Sequence, residues 1–231
     1  MAQPLNGDLL VTDDVPGAFA DLAVSEARRI LSEREPGGIP FRLGCSGGSS
    51  GERCYARLAP RDDLDWTRTE CFFADERCVA PDDPMSNQRA LRAVLKPRLA
   101  DLVAFHPMSC AEGPAAYADQ LRYAGGLDVL QLGFGPDGHT ASLFPGSAAL
   151  DAPADQLVAT NVDPAGRNPL ERMTLTLSGI ATAGLVVLAV TGEEKRDAFA
   201  RVLAGEDLPA ARVHAPRVLW LVESVVAAGL V

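Results

Sequence analysis

"DVLQLGFGPDGHTASLFPG" (residues 128–146) is the stretch whose reading decides the fold. Its first six residues, with Val129, Leu130 and Leu132 apolar, read as a strand, and the strand runs straight into a glycine-rich loop. Gly133, Gly135 and Gly138 spell G-x-G-x-x-G, the spacing with which a strand–turn–helix unit holds a dinucleotide pyrophosphate. The remainder of the segment argues against that use. Pro136 and Asp137 fill the variable positions, and a carboxylate there would repel a pyrophosphate. Pro145 leaves room for only about two turns of helix after Gly138. Asp151 and Asp155 follow in irregular sequence, with no clear second strand to set an acidic residue against a ribose. What the loop offers instead is a carboxylate and an imidazole, Asp137 and His139, at the end of a strand.

Outward from this loop, short apolar runs alternate with helical patterns. Residues 8–12, 41–45, 70–74, 102–108, 128–133, 172–178, 184–190 and 217–222 read as strands. Residues 16–34, 52–59, 86–99, 113–126 and 192–205 read as helices, with Pro16 at one start and Ser86 as an N-cap at another. Strands that are apolar throughout and separated by helices indicate an α/β protein, a mostly parallel, doubly wound, Rossmann-like sheet with helices on both faces. No repeat or long linker divides the chain, so residues 1–231 are read as a single α/β domain. The segment 145–171, rich in Pro, Ala and Asp, is the candidate for a small lobe or flap.

Four clusters follow strands in equivalent places: "SGGSS", "DER", "GFGPDGH" and "TGEEK". Parallel strands would bring all four to the carboxyl edge of the sheet, where open α/β sheets bind ligands. In the first, Gly47 and Gly48 allow a tight turn whose backbone N–H groups converge where a helix starts, an anion nest to which Ser46, Ser49 and Ser50 add hydroxyls. It lacks the Lys of a nucleotide-triphosphate loop. His139 is suited to proton transfer, since an ordinary imidazole has a pKa of about 6.5, and Asp137 can fix its tautomer. His106 and His214 sit in no comparable loop. Lys195 falls in the first turn of a helix, where a cation opposes the dipole unless it has another task, such as reaching a phosphate. Arg172 is a further candidate cation, provided its strand runs antiparallel to the others or the chain bends there.

Composition sets the outer limits. With 231 residues, 47% hydrophobic and 23% charged, the chain is an ordinary globular protein with a sizeable core. A net charge of −10 disfavours nucleic acid but leaves room for a small anion held by a local cluster of cations. The N-terminal residues carry neither a basic start nor a long apolar run, and no stretch reads as a membrane span. Five cysteines, Cys45, Cys54, Cys71, Cys78 and Cys110, with no C-x-x-C, are read as reduced thiols in a cytoplasmic protein rather than as a disulfide framework or zinc site. Cys78 as a nucleophile is disfavoured, with no His near it in sequence.

"CSGGSSGERCYARLA", "FFADERCVAPDDPMSNQRALRAVL", "DVLQLGFGPDGHTASLFPGS", "RMTLTLSGI" and "GEEKRDAFARVLAG" resemble, in order and spacing, the 6-phosphogluconolactonases. These are sugar-phosphate lactonases of the oxidative pentose phosphate pathway, and the resemblance runs from about residue 40 to residue 205. The family shares its fold with glucosamine-6-phosphate deaminases, which carry Tyr after the Asp-Glu pair and Asn-Glu-Pro after their Gly-His. Here those places hold Arg77 and "SLFPG". The glycine loop departs from the family's usual S-G-G-S-T-P, with Ser50 keeping the hydroxyl and Gly51 replacing Pro. The resemblance implies hydrolysis of 6-phospho-D-glucono-1,5-lactone to 6-phospho-D-gluconate, with no metal or organic cofactor. It carries phosphate binding onto Gly47, Gly48, Ser49, Arg77, Arg172 and Lys195, with Ser50 beside them. His139 is expected as general base on water, Asp137 as its orienting partner and Asp75 as a residue positioning the sugar ring. Arg77 or a loop N–H would face the oxyanion. The expected partner is a sugar-phosphate lactone, not nucleic acid or membrane; the helices' ordinary amphipathic faces leave the oligomeric state open. A structural or interaction protein would have no purpose for a polar, glycine-rich sheet edge of this sort, and two further alternatives stand beside this reading. One is an amino-sugar-phosphate deaminase or isomerase. The other is a sugar-phosphate sensor without turnover, although such regulators carry a DNA-binding segment and this acidic chain begins its first strand within ten residues of Met1.

Overall fold

Helix α1 (Val15–Ser32) begins where Pro16 fixes the first turn and Asp14 accepts the backbone N–H of Gly17 at 2.9 Å. It lays Phe19, Ala20, Ala23, Val24, Ala27 and Leu31 against the core, in the computed structural model that describes residues 5–231. Strand β1 (Asp8–Thr12) precedes it, and β2 (Phe41–Cys45), α2 (Gly48–Leu58), β3 (Thr69–Phe73), β4 (Asp75–Arg77) and α3 (Asn87–Val94) follow. Next come β5 (Ala104–Phe105), α4 (Gly113–Ala124), β6 (Leu127–Gly133), β7 (Val158–Asn161), β8 (Arg172–Leu175) and α5 (Leu177–Ile180). The chain then forms β9 (Ala183–Val190), α6 (Arg196–Leu203), β10 (Arg217–Glu223) and α7 (Ser224–Ala227).

Seven strands form one sheet in the order β1-β10-β9-β6-β2-β3-β5, and every neighbouring pair is parallel. Helices cover both faces. That is why β9, from Leu185 to Val190, is apolar without alternation: both of its faces are buried. After β2 the chain builds outward through β3 and β5, then returns to the other side of β2 with β6 and builds outward through β9 and β10. The strand order therefore reverses between β2 and β6, and a crevice opens at their carboxyl ends. Among the described residues no helix is long and apolar enough to cross a membrane.

The remaining strands form a separate antiparallel sheet in the order β4-β8-β7. This is the small lobe expected near 145–171, but it draws in more of the chain. "DER" is itself the edge strand β4 rather than a loop, and β8 belongs here rather than to the large sheet. Two other expectations are corrected in length. Helix α3 stops at Val94, ahead of Pro97, and β5 shrinks to two residues. No helix follows Gly138: residues 139–146 turn back on themselves through a bridge between Thr140 and Leu143, with Ala141 at a φ of 47°. Side chains hold this segment out of a helix, since Thr140 Oγ1 donates to the Gly133 carbonyl at 2.8 Å and Ser142 Oγ to Asp75 Oδ2 at 2.6 Å.

The expectation of reduced thiols throughout is also corrected. Cys78, just after β4, and Cys110, just before α4, form a disulfide with their Cα atoms 5.5 Å apart. They are 32 residues apart, and only the packing of the two segments brings them together. Cys45, Cys54 and Cys71 remain buried thiols. Titrating thiols in denaturant should therefore give three before reduction and five after it. Five before reduction would contradict the bridge.

Candidate active site

Because β2 and β6 are neighbours, the loops that follow them face each other across the carboxyl edge of the sheet. Between them lies a cleft of about 170 Å³. Sites for drug-sized ligands run from about 300 to 1,000 Å³, so this cleft is small beside them.

The β2 side is the glycine-serine loop. Gly47 is the N-cap of α2 and no side chain caps the helix, which leaves first-turn N–H groups free for an anion. A Cβ on Gly47 would lie 1.9 Å from Asn87 Oδ1, so only glycine lets this turn approach α3. Ser50 is buried, and its hydroxyl sits 2.5 Å from Thr191 Oγ1, which ties the loop to the end of β9. Ser46 Oγ donates to Gln131 Oε1 at 2.8 Å, a matching tie to β6.

The β6 side carries the imidazole. Gly138 N–H donates to the Gly135 carbonyl and Gly135 N–H to the His139 carbonyl, folding the loop so that His139 returns over Gly135. A Cβ on Gly135 would stand 2.1 Å from His139 Nδ1. This glycine makes room for an imidazole, not for a pyrophosphate. His139 Nδ1 lies 2.6 Å from Asp137 Oδ1, and the same oxygen accepts the His139 backbone N–H at 3.1 Å. Burial alone would raise the Asp137 pKa. The hydrogen bonds and charge of His139, with the Arg167 guanidinium, outweigh it and bring the pKa down to about 2. An ionised carboxylate only accepts, so in the neutral form of the ring Nδ1 carries the hydrogen and Nε2 is the acceptor.

The small sheet closes the cleft. Alternation along β4 puts Asp75 and Arg77 on one face and Glu76 on the other. Glu76 is structural: its carboxylate accepts the N–H groups of Arg77, Asn87 and Gln88 at 2.7 Å each and the Ser86 hydroxyl at 3.0 Å. It thereby closes the N-terminus of α3, and burial pushes its pKa up. Asp75 accepts from Ser142 Oγ at 2.6 Å and from Asn87 Nδ2 at 3.2 Å. Arg77 stands directly opposite Arg172 in the β4–β8 ladder, and both line the cleft. Like charges in register repel. Arg172 is only 6% exposed, its nearest carboxylate oxygen, Asp75 Oδ2, is 3.9 Å away, and its Nε has no partner among the described residues. Burial pulls its pKa down while the Asp75 charge opposes the shift. Lys195, in the turn before α6, adds a third cation to the cleft, with Nζ 3.4 Å from Glu194 Oε1.

The residues expected to act in catalysis or phosphate binding all line one cleft, except Asp137, which meets it through His139. Asn87, Phe144 and Asn168 line it too and were not singled out. The sign for Asn87 was its place directly after the cap Ser86; its Oδ1 is buried and unpartnered among the described residues. Phe144 sets its ring centroid 5.1 Å from that of His139. His106 lies elsewhere, stacked on Phe72 at 4.1 Å.

A family model described as "Glucosamine-6-phosphate isomerases/6-phosphogluconolactonase" matches residues 12–220. The chain belongs to this family. It is 34% identical over 215 residues to a 6-phosphogluconolactonase of Streptomyces coelicolor, a match covering 80% of each chain. With a 6-phosphogluconolactonase of Rattus norvegicus it shares 34% identity over 98% of this chain and 95% of the other. A crystal structure of 6-phosphogluconolactonase from Thermotoga maritima superposes with a TM-score of 0.80 at 26% identity, over 94% of this chain and 99% of that one.

The fit of Gly135 under the imidazole gives a direct test of this geometry. Gly135→Ala should stay folded by circular dichroism yet lose activity about 100-fold, the scale set by a misplacement of about 1 Å. A fully active variant would contradict the described packing.

Proposed function

We propose that the chain hydrolyses 6-phospho-D-glucono-1,5-lactone to 6-phospho-D-gluconate, the second step of the oxidative pentose phosphate pathway, in the cleft between the two sheets. The observation that carries this reading is the pairing, in one small cleft, of an imidazole whose Nε2 is an acceptor with a buried, under-neutralised arginine. The first suits proton transfer from water, and the second suits a phosphate. Membership of the family and the lactonase relatives support the same reaction.

In the proposed mechanism the phosphate of the substrate is held by Arg77, Arg172 and Lys195 with the N–H groups of Gly47, Gly48 and Ser49. Ser50 acts by fixing that loop rather than by contact, since its hydroxyl is engaged with Thr191. Water attacks carbon 1 of the lactone while His139 Nε2 takes a proton from it, with Asp137 holding Nδ1–H. The carbonyl π pair moves onto oxygen, and a loop N–H stabilises that oxyanion. Collapse breaks the bond to the ring oxygen, which leaves with the proton held by His139. Asp75, fixed by Ser142 and Asn87, positions the sugar ring. A lactone is an activated ester, so one base and one oxyanion donor suffice.

The setting belongs to the proposal as well. A net charge of −10 disfavours nucleic acid as a partner. The cleft draws on both sheets, which supports treating the chain as one functional domain. Buried thiols fit a reducing cytoplasm, while the Cys78–Cys110 bridge pulls the other way.

The test is the rate of hydrolysis of freshly generated substrate with the spontaneous rate subtracted. His139→Ala should lower kcat by about 100- to 10,000-fold. Arg172→Ala or Lys195→Ala should raise KM for the phosphorylated lactone far more than for free gluconolactone. Undiminished turnover by His139→Ala would remove it as the base, and equal effects on both lactones would remove the cations as phosphate ligands.

A further inference from the structure

A contact to the Asp137–His139 pair comes from outside the loop that forms it. Arg167, between β7 and β8, places Nη2 2.9 Å from Asp137 Oδ2. The other oxygen of the same carboxylate, Oδ1, receives His139 Nδ1 and the His139 backbone N–H. Each carboxylate oxygen thus has its own donor, so the plane of the group is held from both ends.

The loop that carries Arg167 is pinned. Buried Asp163 accepts the Ala165 N–H at 2.9 Å on one oxygen, and on the other the Asn168 N–H and Nδ2 at 3.0 and 2.9 Å. The Gly166 N–H closes the turn on the Asp163 carbonyl at 3.0 Å, at a φ of +69° that suits glycine. An exposed arginine on a slack loop adds little to an ion pair, because ordering its side chain offsets the attraction. Here the backbone on either side is already fixed. Asn168 lines the cleft, whereas Arg167 reaches it only through Asp137 and His139. Arg201, the other cation near Asp137, is engaged with Glu206 at 2.7 Å.

We propose that Arg167 is a positioning residue for the reaction, acting on the base through Asp137. The inference rests on the reading of His139 as that base. With Oδ2 taken by the guanidinium, the carboxylate cannot rotate away from Nδ1–H, and Nε2 stays aimed at the attacking water. The small sheet therefore does more than wall the cleft: its loop seats the base carried by the large sheet.

The experiment compares Arg167→Ala, Arg167→Lys and His139→Ala in the full chain, by saturation kinetics on the phosphorylated lactone and by the 15N shifts of the His139 ring, which read tautomer populations. Partners that orient a functional imidazole from behind contribute about tenfold or more. Arg167→Ala should thus lower kcat about tenfold with KM within about twofold, and Lys should restore most of the loss. The native ring should hold its hydrogen on Nδ1, and Arg167→Ala should shift population toward Nε2–H. A loss confined to KM, or an unchanged tautomer in Arg167→Ala, overturns the proposal. Full turnover by His139→Ala would instead overturn the base reading, and this inference with it. The exposure of Arg167 lets the variants fold, which unchanged melting curves would verify.

Discussion

Every strand of the large sheet runs in the same direction, and the arrangement of the site follows from that constraint. Parallel strands release all their carboxyl-terminal loops at one edge, and the reversal of strand order between β2 and β6 opens that edge into a crevice. The glycine-serine loop and the histidine loop meet there although more than 80 residues separate them, as the Ser46–Gln131 bond makes plain with its separation of 85. An antiparallel sheet would have divided the same loops between two edges. The glycines serve this convergence in particular ways. Gly47 lets the first loop close on Asn87, and Gly135 lets His139 fold back onto its own loop.

The small antiparallel sheet supplies what the parallel edge lacks. Its ladder sets Arg77 opposite Arg172, an arrangement that disfavours itself unless an anion lies nearby. Asp75 meets Arg172 only at 3.9 Å and is committed to Ser142 and Asn87, so the positive charge of the pair is incompletely answered within the protein. The same sheet reaches the other end of the cleft through Arg167 and Asp137. One lobe thus touches both the cationic end and the imidazole end of the cleft.

Much of this was legible in the sequence, and the failures have physical causes. The parallel class could be read because strands buried on both faces must be apolar without alternation, as "GLVVLAV" is. The clusters could be read because they follow such strands. The dinucleotide reading was correctly set aside on the strength of Asp137 and Pro145. What escaped depends on pairing between distant segments. A three-residue strand such as "DER" has too few positions to show a period, and β7, four residues in a Pro-, Ala- and Asp-rich stretch, shows none either. The short helix that Pro145 would still allow after Gly138 does not form because Thr140 and Ser142 spend their hydroxyls on Gly133 and Asp75, contacts no local propensity reveals. The Cys78–Cys110 bridge and the Arg167 ion pair belong to the same class. Glu76 was grouped with the chemistry by its neighbours, whereas the alternation of β4 turns it to the opposite side, onto the start of α3.

The proposed binding is directional: phosphate at the arginine and lysine end of the cleft, carbon 1 at the imidazole. The most direct test is a crystal structure of the chain with 6-phosphogluconate, the product of the proposed reaction. Phosphate oxygens should lie on Arg172, Arg77 or Lys195 and the glycine-loop N–H groups, with the carbon 1 carboxylate within hydrogen-bond distance of His139 Nε2. A product bound in the reverse sense, or bound outside the cleft, would contradict it.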